Sequence, residues 1–161
     1  MPLHIRSLIA WLVNRIFSSL HARALSHATE DLDRVKTSVM NAIGDAEIRV
    51  TRVEGHHGNP IDVVEAVLNR ENRIVEFFDR LGRDDLDTLR ATLGARVDEG
   101  CNLFVKIDKQ SAFKGDINLG AGDDVISVRI KVRAFPAKSD LAMDSVDKFL
   151  VSAMSKKSMT G

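Results

Sequence analysis

The chain has little cysteine, little proline and no surplus of either charge, and each shortage removes a class of protein. Its one cysteine, Cys101, has no partner for an internal disulfide and cannot build a multi-cysteine metal cluster. A buried thiol in a reducing, cytoplasmic setting is therefore the expectation. Three prolines in 161 residues, and no long polar low-complexity run, leave little that reads as disordered. No internal repeat is visible. Long apolar runs are missing too: LIAWLV near the N-terminus is short and followed at once by Asn14 and Arg15, whereas a membrane span needs about 20 mostly apolar residues. No small-residue cleavage pattern follows it, which argues against a secretory signal. There is no GxxxxGK phosphate cradle, and no serine or cysteine nucleophile stands with a base that residue order can place.

What is present is charge in balance but unevenly spread. The 23 basic and 23 acidic side chains cancel, so the whole molecule advertises no affinity for nucleic acid or anionic membranes. Residues 1–23 nevertheless hold three bases and no acid, residues 24–101 ten bases and sixteen acids, and residues 102–161 ten bases and seven acids. The ends are basic and the middle acidic.

Hydrophobic periodicity then divides the chain. Leu3, Leu8, Ile9, Trp11, Leu12, Val13 and Ile16 make a broad apolar stripe at helical spacing, so residues 1–18 read as an apolar helical extension. LHARAL at Leu20–Leu25 alternates and predicts a strand. Thr29 is the expected cap of a helix with Glu30 and Asp31 in its first turn, Leu32, Val35, Val39 and Ile43 on one face, and Gly44 as its stop. EIRVTRVE (Glu47–Glu54) and IDVVEAVL (Ile61–Leu68) predict two more strands. A helix opening at Asn69 carries Ile74, Phe77, Phe78 and Leu81, and another, capped by Asp84 or Asp85, carries Leu86, Leu89 and Leu93.

The C-terminal half alternates: Leu103, Val105 and Ile107 oppose Phe104, Lys106 and Asp108, and Ile126, Val128, Ile130 and Val132 oppose Ser127, Arg129, Lys131 and Arg133. GAGDD supplies turn residues for a hairpin between DINL and the last strand. Leu141, Val146, Phe149, Leu150 and Met154 predict a closing helix. The expectation is a single α+β domain over residues 19–155, a two-layer sandwich whose mostly antiparallel or mixed sheet has helices on one face. Residues 156–161 read as a flexible tail.

Two stretches could carry function. Arg129, Lys131 and Arg133 recur at every second position, and Phe104 with Lys106 shares their face if the two strands are neighbours. Cations beside an exposed ring can hold single-stranded nucleic acid, with phosphates on the charges and a base on the ring. DKQSAFKG adds Lys109, Gln110 and Lys114 just after the strand, groups able to touch phosphate or sugar. The alternative is an ordinary solvated face. The second stretch, VEGHHGNPI, looks like a site because His56 and His57 are adjacent. Side by side on an extended chain they point apart, and zinc ligands usually stand two to four residues apart in sets of about four. Gly58, Asn59 and Pro60 are turn formers, so a connection between strands is the plainer reading, with metal or acid–base chemistry at His56 and His57 as its rival.

HATEDLDRV at 27–35, EGHHGNPI at 54–61, VKIDKQSAFKGDINL at 105–119 and DDVISVRIKV at 123–132 together resemble one family. It is the archaeal RNA-binding family whose members are described as predicted exosome subunits. The resemblance spans roughly residues 20–132. It implies a fold similar to that of the large-subunit ribosomal protein that binds 5S rRNA, RNA as the ligand, and no catalytic residues. Positions matching its motifs are His27, His56, Gly58, Asn59 and Pro60, with Asp108, Lys109, Gln110 and Gly115. The N-terminal stripe and the segment after Phe135 match no motif of the family.

The expected function is a non-enzymatic, cytoplasmic RNA-binding module without cofactor or metal, an accessory factor in RNA processing or turnover with the exosome as partner. A homodimeric protein-interaction adaptor joined through the N-terminal helix or a sheet edge is the alternative. A metal-dependent hydrolase using His56 and His57 is the third reading.

Overall fold

Strands Phe17–Ser26 (β1), Arg49–Glu54 (β2), Pro60–Leu68 (β3), Asn102–Asp108 (β4) and Val125–Val132 (β5) form one open antiparallel sheet in the order β2-β3-β1-β5-β4. Helices Leu32–Ile43 (α1), Glu71–Asp79 (α2), Arg83–Ala91 (α3), Leu93–Arg96 (α4), Lys109–Phe113 (α5) and Ser139–Thr160 (α6) complete the chain. The structure, a computed structural model, describes residues 15–160 apart from the side chains of residues 56, 159 and 160. The N-terminal stripe therefore falls largely outside the described residues. The alternative of a homodimer joined through it falls outside with it.

The helices cover one face of the sheet, and alternation along each strand decides what lies beneath them. Leu20, Ala22 and Ala24 of β1, Leu103, Val105 and Ile107 of β4, and Ile126, Val128 and Ile130 of β5 are all buried in one core. Val35, Val39, Ala42 and Ile43 of α1, with Ile74, Phe77 and Phe78 of α2, close it from the other side. Phe17 is wholly buried. Its ring stacks on Phe78 at 5.1 Å and meets Phe149 of α6 edge-on at 5.1 Å. Such pairs are worth about 0.5–1.5 kcal/mol each beyond their buried area, so the first residue of β1 ties both ends of the chain to the helical layer.

Several local expectations are revised. β1 takes in Phe17 and Ser18, assigned from sequence to the extension. Asp31, not Thr29, caps α1: its carboxylate accepts the Asp33 N–H at 2.9 Å. Gly82 precedes α3, leaving Asp84 and Asp85 in its first turn, where they favour the helix dipole. The expected hairpin between DINL and β5 does not form, because Leu119 bridges Ile107 of β4 while β5 pairs with β1 and β4. DKQSAFKG forms a short helix: Asp108 caps α5 by accepting the Ser111 N–H at 3.1 Å. The stretch expected to fray at the C-terminus stays helical to Thr160.

Candidate nucleic-acid interface

The uncovered face of the sheet is built by the residues that alternation turns away from the core. β4 lies beside β5, so Phe104 stands directly opposite Arg129, and Asn102 opposite Lys131. β5 lies beside β1, which continues the rows: Arg129 opposite His21, and Ser127 between Lys106 and Arg23. Phe104 is 44% exposed, an aromatic ring beside the cations, and Val67 of β3, opposite His21, is 47% exposed on the same face. Lys106 Nζ lies 3.5 Å from the Gly122 carbonyl, and Lys131 Nζ donates to the Gly100 carbonyl; both keep exposed side chains. Phe104, Lys106, Arg129 and Lys131 are thus brought together as their spacing predicted.

His21 and Arg23 extend the same face and were not singled out from sequence. The signal was present, since both occupy outward positions of LHARAL, but nothing local shows that β1 sits beside β5. Glu65 of β3 is the acidic counterweight, 3.8 Å from both His21 Nε2 and Arg23 Nε.

Lys109 has a different place from the one its sequence predicts. It is 3% exposed, and its ammonium donates to the Leu25 carbonyl at 2.9 Å and pairs with Glu30 and Asp124 at 2.8 Å each. Burial pulls its pKa down, but the hydrogen bonds and charges of Asp124 and Glu30 outweigh this, and the net shift is upward. The bond from Lys109 holds Asp124 below the usual carboxylate range, with burial opposing and Gln110 and the charge of His27 assisting. Every donor of Lys109 is spent within the protein, so it is not available to a phosphate. Gln110 is exposed but donates to Asp124 at 3.2 Å. Lys114, just past α5, is exposed.

The register puts all four signature stretches at one end of the sheet: Ser26 is opposite Asp62, Asp108 opposite Val125, and Glu54 opposite Pro60. Three of them meet at Lys109. His27 accepts the Glu30 N–H through its carbonyl at 2.9 Å and donates its own N–H to Glu30 Oε1 at 3.2 Å, shaping the turn that delivers Glu30 to Lys109. Beside the cluster a cleft of about 310 Å³ opens between α1 and α5, where the Arg34 guanidinium lies 4.2 Å from the centre of the Phe113 ring.

The fourth stretch forms the connection between β2 and β3. Residues His56–Gly58 make a single 3-10 turn, the Gly55 N–H donates to the Asn59 carbonyl at 2.7 Å, and His57 and Gly58 take left-handed backbone angles with φ of +64° and +75°. Asn59 and Pro60 lead into β3. Among the described residues no three His, Cys, Asp or Glu side chains gather as a metal site, and no helix is long and apolar enough to cross a membrane.

Arg133 lies past the end of β5. Its N–H donates to the Ile16 carbonyl at 2.6 Å, and its side chain lines a separate cavity with residues of α6.

A family profile described as RNA binding matches residues 19–132. A Pyrococcus abyssi protein named as RNA-binding is 34% identical over 142 residues, 82% of this chain and 92% of that one. A UPF0201 protein of Thermococcus kodakarensis is 26% identical over 126 residues, 75% of this chain and 84% of its own length. The solved structure of a DUF54 protein from Methanothermobacter thermautotrophicus superposes with a TM-score of 0.72 at 31% identity, covering 84% of this chain and 98% of that one.

Proposed function

The chain belongs to this RNA-binding family, and from that premise we propose that it holds single-stranded RNA, without catalysing any reaction, on the open face of its sheet. The observation that carries the reading is the cross-strand pair Phe104 and Arg129. A ring beside cations on an open sheet can act as a stacking platform, and a nucleotide offers both a base for the ring and a phosphate for the charge. Arg129, Lys131, Lys106 and Arg23 take phosphates, and Phe104 stacks. None of these contacts reads a base edge, so sequence preference is weak. Lys109 serves indirectly, by holding the end of β4 from which α5 and Lys114 start.

Full-length protein titrated into labelled poly(A) or tRNA at low salt should bind, and Arg129→Glu with Lys131→Glu should weaken binding strongly while the fold persists. Unchanged affinity in that variant rules the face out. An accessory role in RNA processing or turnover, with exosome subunits as partners and a likeness to the 5S-rRNA-binding ribosomal protein fold, extends the same proposal. Co-purification with reconstituted exosome subunits after ribonuclease treatment tests the partner contact apart from RNA bridging.

A further inference from the structure

The end of the sheet opposite the Lys109 cluster holds a second set of polar groups that the open face does not use. A cavity of about 520 Å³, within the about 300–1,000 Å³ usual for small-ligand sites, lies between the end of β5 and α6. It is bordered by Arg15, Arg133, Phe135, Leu141, Asp144 and Ser145. Arg133 is half-buried, its Nε is enclosed by protein without a hydrogen-bond partner, and no carboxylate pairs with it among the described residues. A buried Nε–H donor without an acceptor is costly, and the cost is removed by an anion that accepts from it and from the rest of the guanidinium fork. Asp144 is the acid at the rim, and it is taken by Lys148 at 3.0 Å. Phe135, 88% exposed, stands at the mouth.

We propose that this cavity is a nucleotide subsite: Arg133 and Ser145 take a phosphate, and Phe135 covers the attached base. The inference rests on the RNA-binding reading above and adds a position to it, since Arg133 lies two residues beyond Lys131 and receives the strand as it leaves the sheet. A carboxylate or free phosphate alone would satisfy Arg133 but leave Phe135 bare. A nucleotide occupies both.

The test is titration of the full chain with adenosine 5′-monophosphate, followed by NMR at the Arg133 Nε–H and Ser145 amide signals. Inorganic phosphate and adenosine serve as controls. The monophosphate should shift both signals and bind more tightly than either control. Arg133→Gln should weaken it about tenfold or more, as the loss of a charge-assisted bond implies. Phe135→Ala should weaken it at least about fivefold, as the loss of a stacking partner implies. Arg133→Lys, which keeps the charge but not the fork, should recover part of the affinity and guards against a folding defect. An Arg133 signal unmoved by the nucleotide, or equal affinity in Arg133→Gln, overturns the subsite. Phosphate binding as tightly as the nucleotide overturns the role of Phe135 and with it the proposal. The open-face variant Arg129→Glu with Lys131→Glu separates the two readings. If it abolishes RNA binding while Arg133→Gln leaves RNA and nucleotide affinity intact, the face stands and the subsite fails. If nucleotide still binds through Arg133 while RNA binding ignores Arg129 and Lys131, the subsite stands and the face fails.

Discussion

The Lys109 ammonium sits 2.8 Å from Glu30 Oε2, joining residues 79 positions apart in the chain and fastening the turn after β1 to the start of α5. Asp124 closes the same cluster from the loop before β5. Lys109→Met should therefore lower stability by about 2–3 kcal/mol. That is less than the about 3–5 kcal/mol of a fully buried pair, because Asp124 is 58% exposed and its charge is screened by solvent. Urea unfolding measures the loss, and RNA affinity at a temperature where the variant is folded should change little. A stable variant with much weaker RNA binding would return Lys109 to the interface.

The same cluster predicts the dependence of stability on pH. Asp124 has its pKa lowered on folding, chiefly by the bond from Lys109, so its contribution is present above the unfolded carboxylate value of about 3.9 and is lost as pH falls through the lower folded value. Lys109 is shifted upward, so its contribution is present below the unfolded value of about 10.4 and is lost as pH rises through the folded one. The contribution of this cluster to the melting temperature should stay level between these limits and fall on both sides. Asp124→Asn should flatten part of the acid limb, and an identical acid limb in that variant would count against the assignment.

On the open face, charge and stacking are separable by salt. Phe104→Ala should weaken RNA binding by about 1–3 kcal/mol and leave the slope of log affinity against log salt unchanged. Removing Arg129 and Lys131 should reduce that slope by about 0.7 for each phosphate of a single strand that is no longer neutralised. A changed slope in Phe104→Ala, or an unchanged one in the charge variant, would contradict the roles given to these residues.

Gly120 offers a test of packing at the signature end. A Cβ there would lie 2.8 Å from the Asp108 nitrogen and 2.9 Å from its Cα, backbone atoms that cannot swing aside. Gly120→Ala should cost about 1–3 kcal/mol, typical of overpacking, and loosen the cap of α5. Amide exchange at Ser111, whose N–H Asp108 accepts, would report it; unchanged protection there would show that the loop yields.

Much of this was legible in the residues because alternation is local. Period two assigned Phe104 and Lys106, and Arg129 and Lys131, to the side away from Val105 and Val128 without knowledge of any neighbour. Gly58, Asn59 and Pro60 marked a turn through backbone preference alone, and Ile74, Phe77 and Phe78 marked a buried helix face by their spacing. DINL misled because a short alternating run with turn residues after it satisfies a hairpin locally, while Leu119 bridges to Ile107 of β4 instead.

The sequence by itself determined which side chains could point outward together, since that depends only on backbone period. Only the tertiary structure decided that β4 and β1 flank β5, and so that a phenylalanine, a histidine, a set of cations and an acid share one surface. It also decided that Lys109, outwardly one more cation beside a strand, is buried. An ion pair closing a long loop is set by the whole fold, and no nearby residue announces it. Arg133 differs from Lys131 for the same reason: the chain leaves the sheet between them, and α6 meets one and not the other.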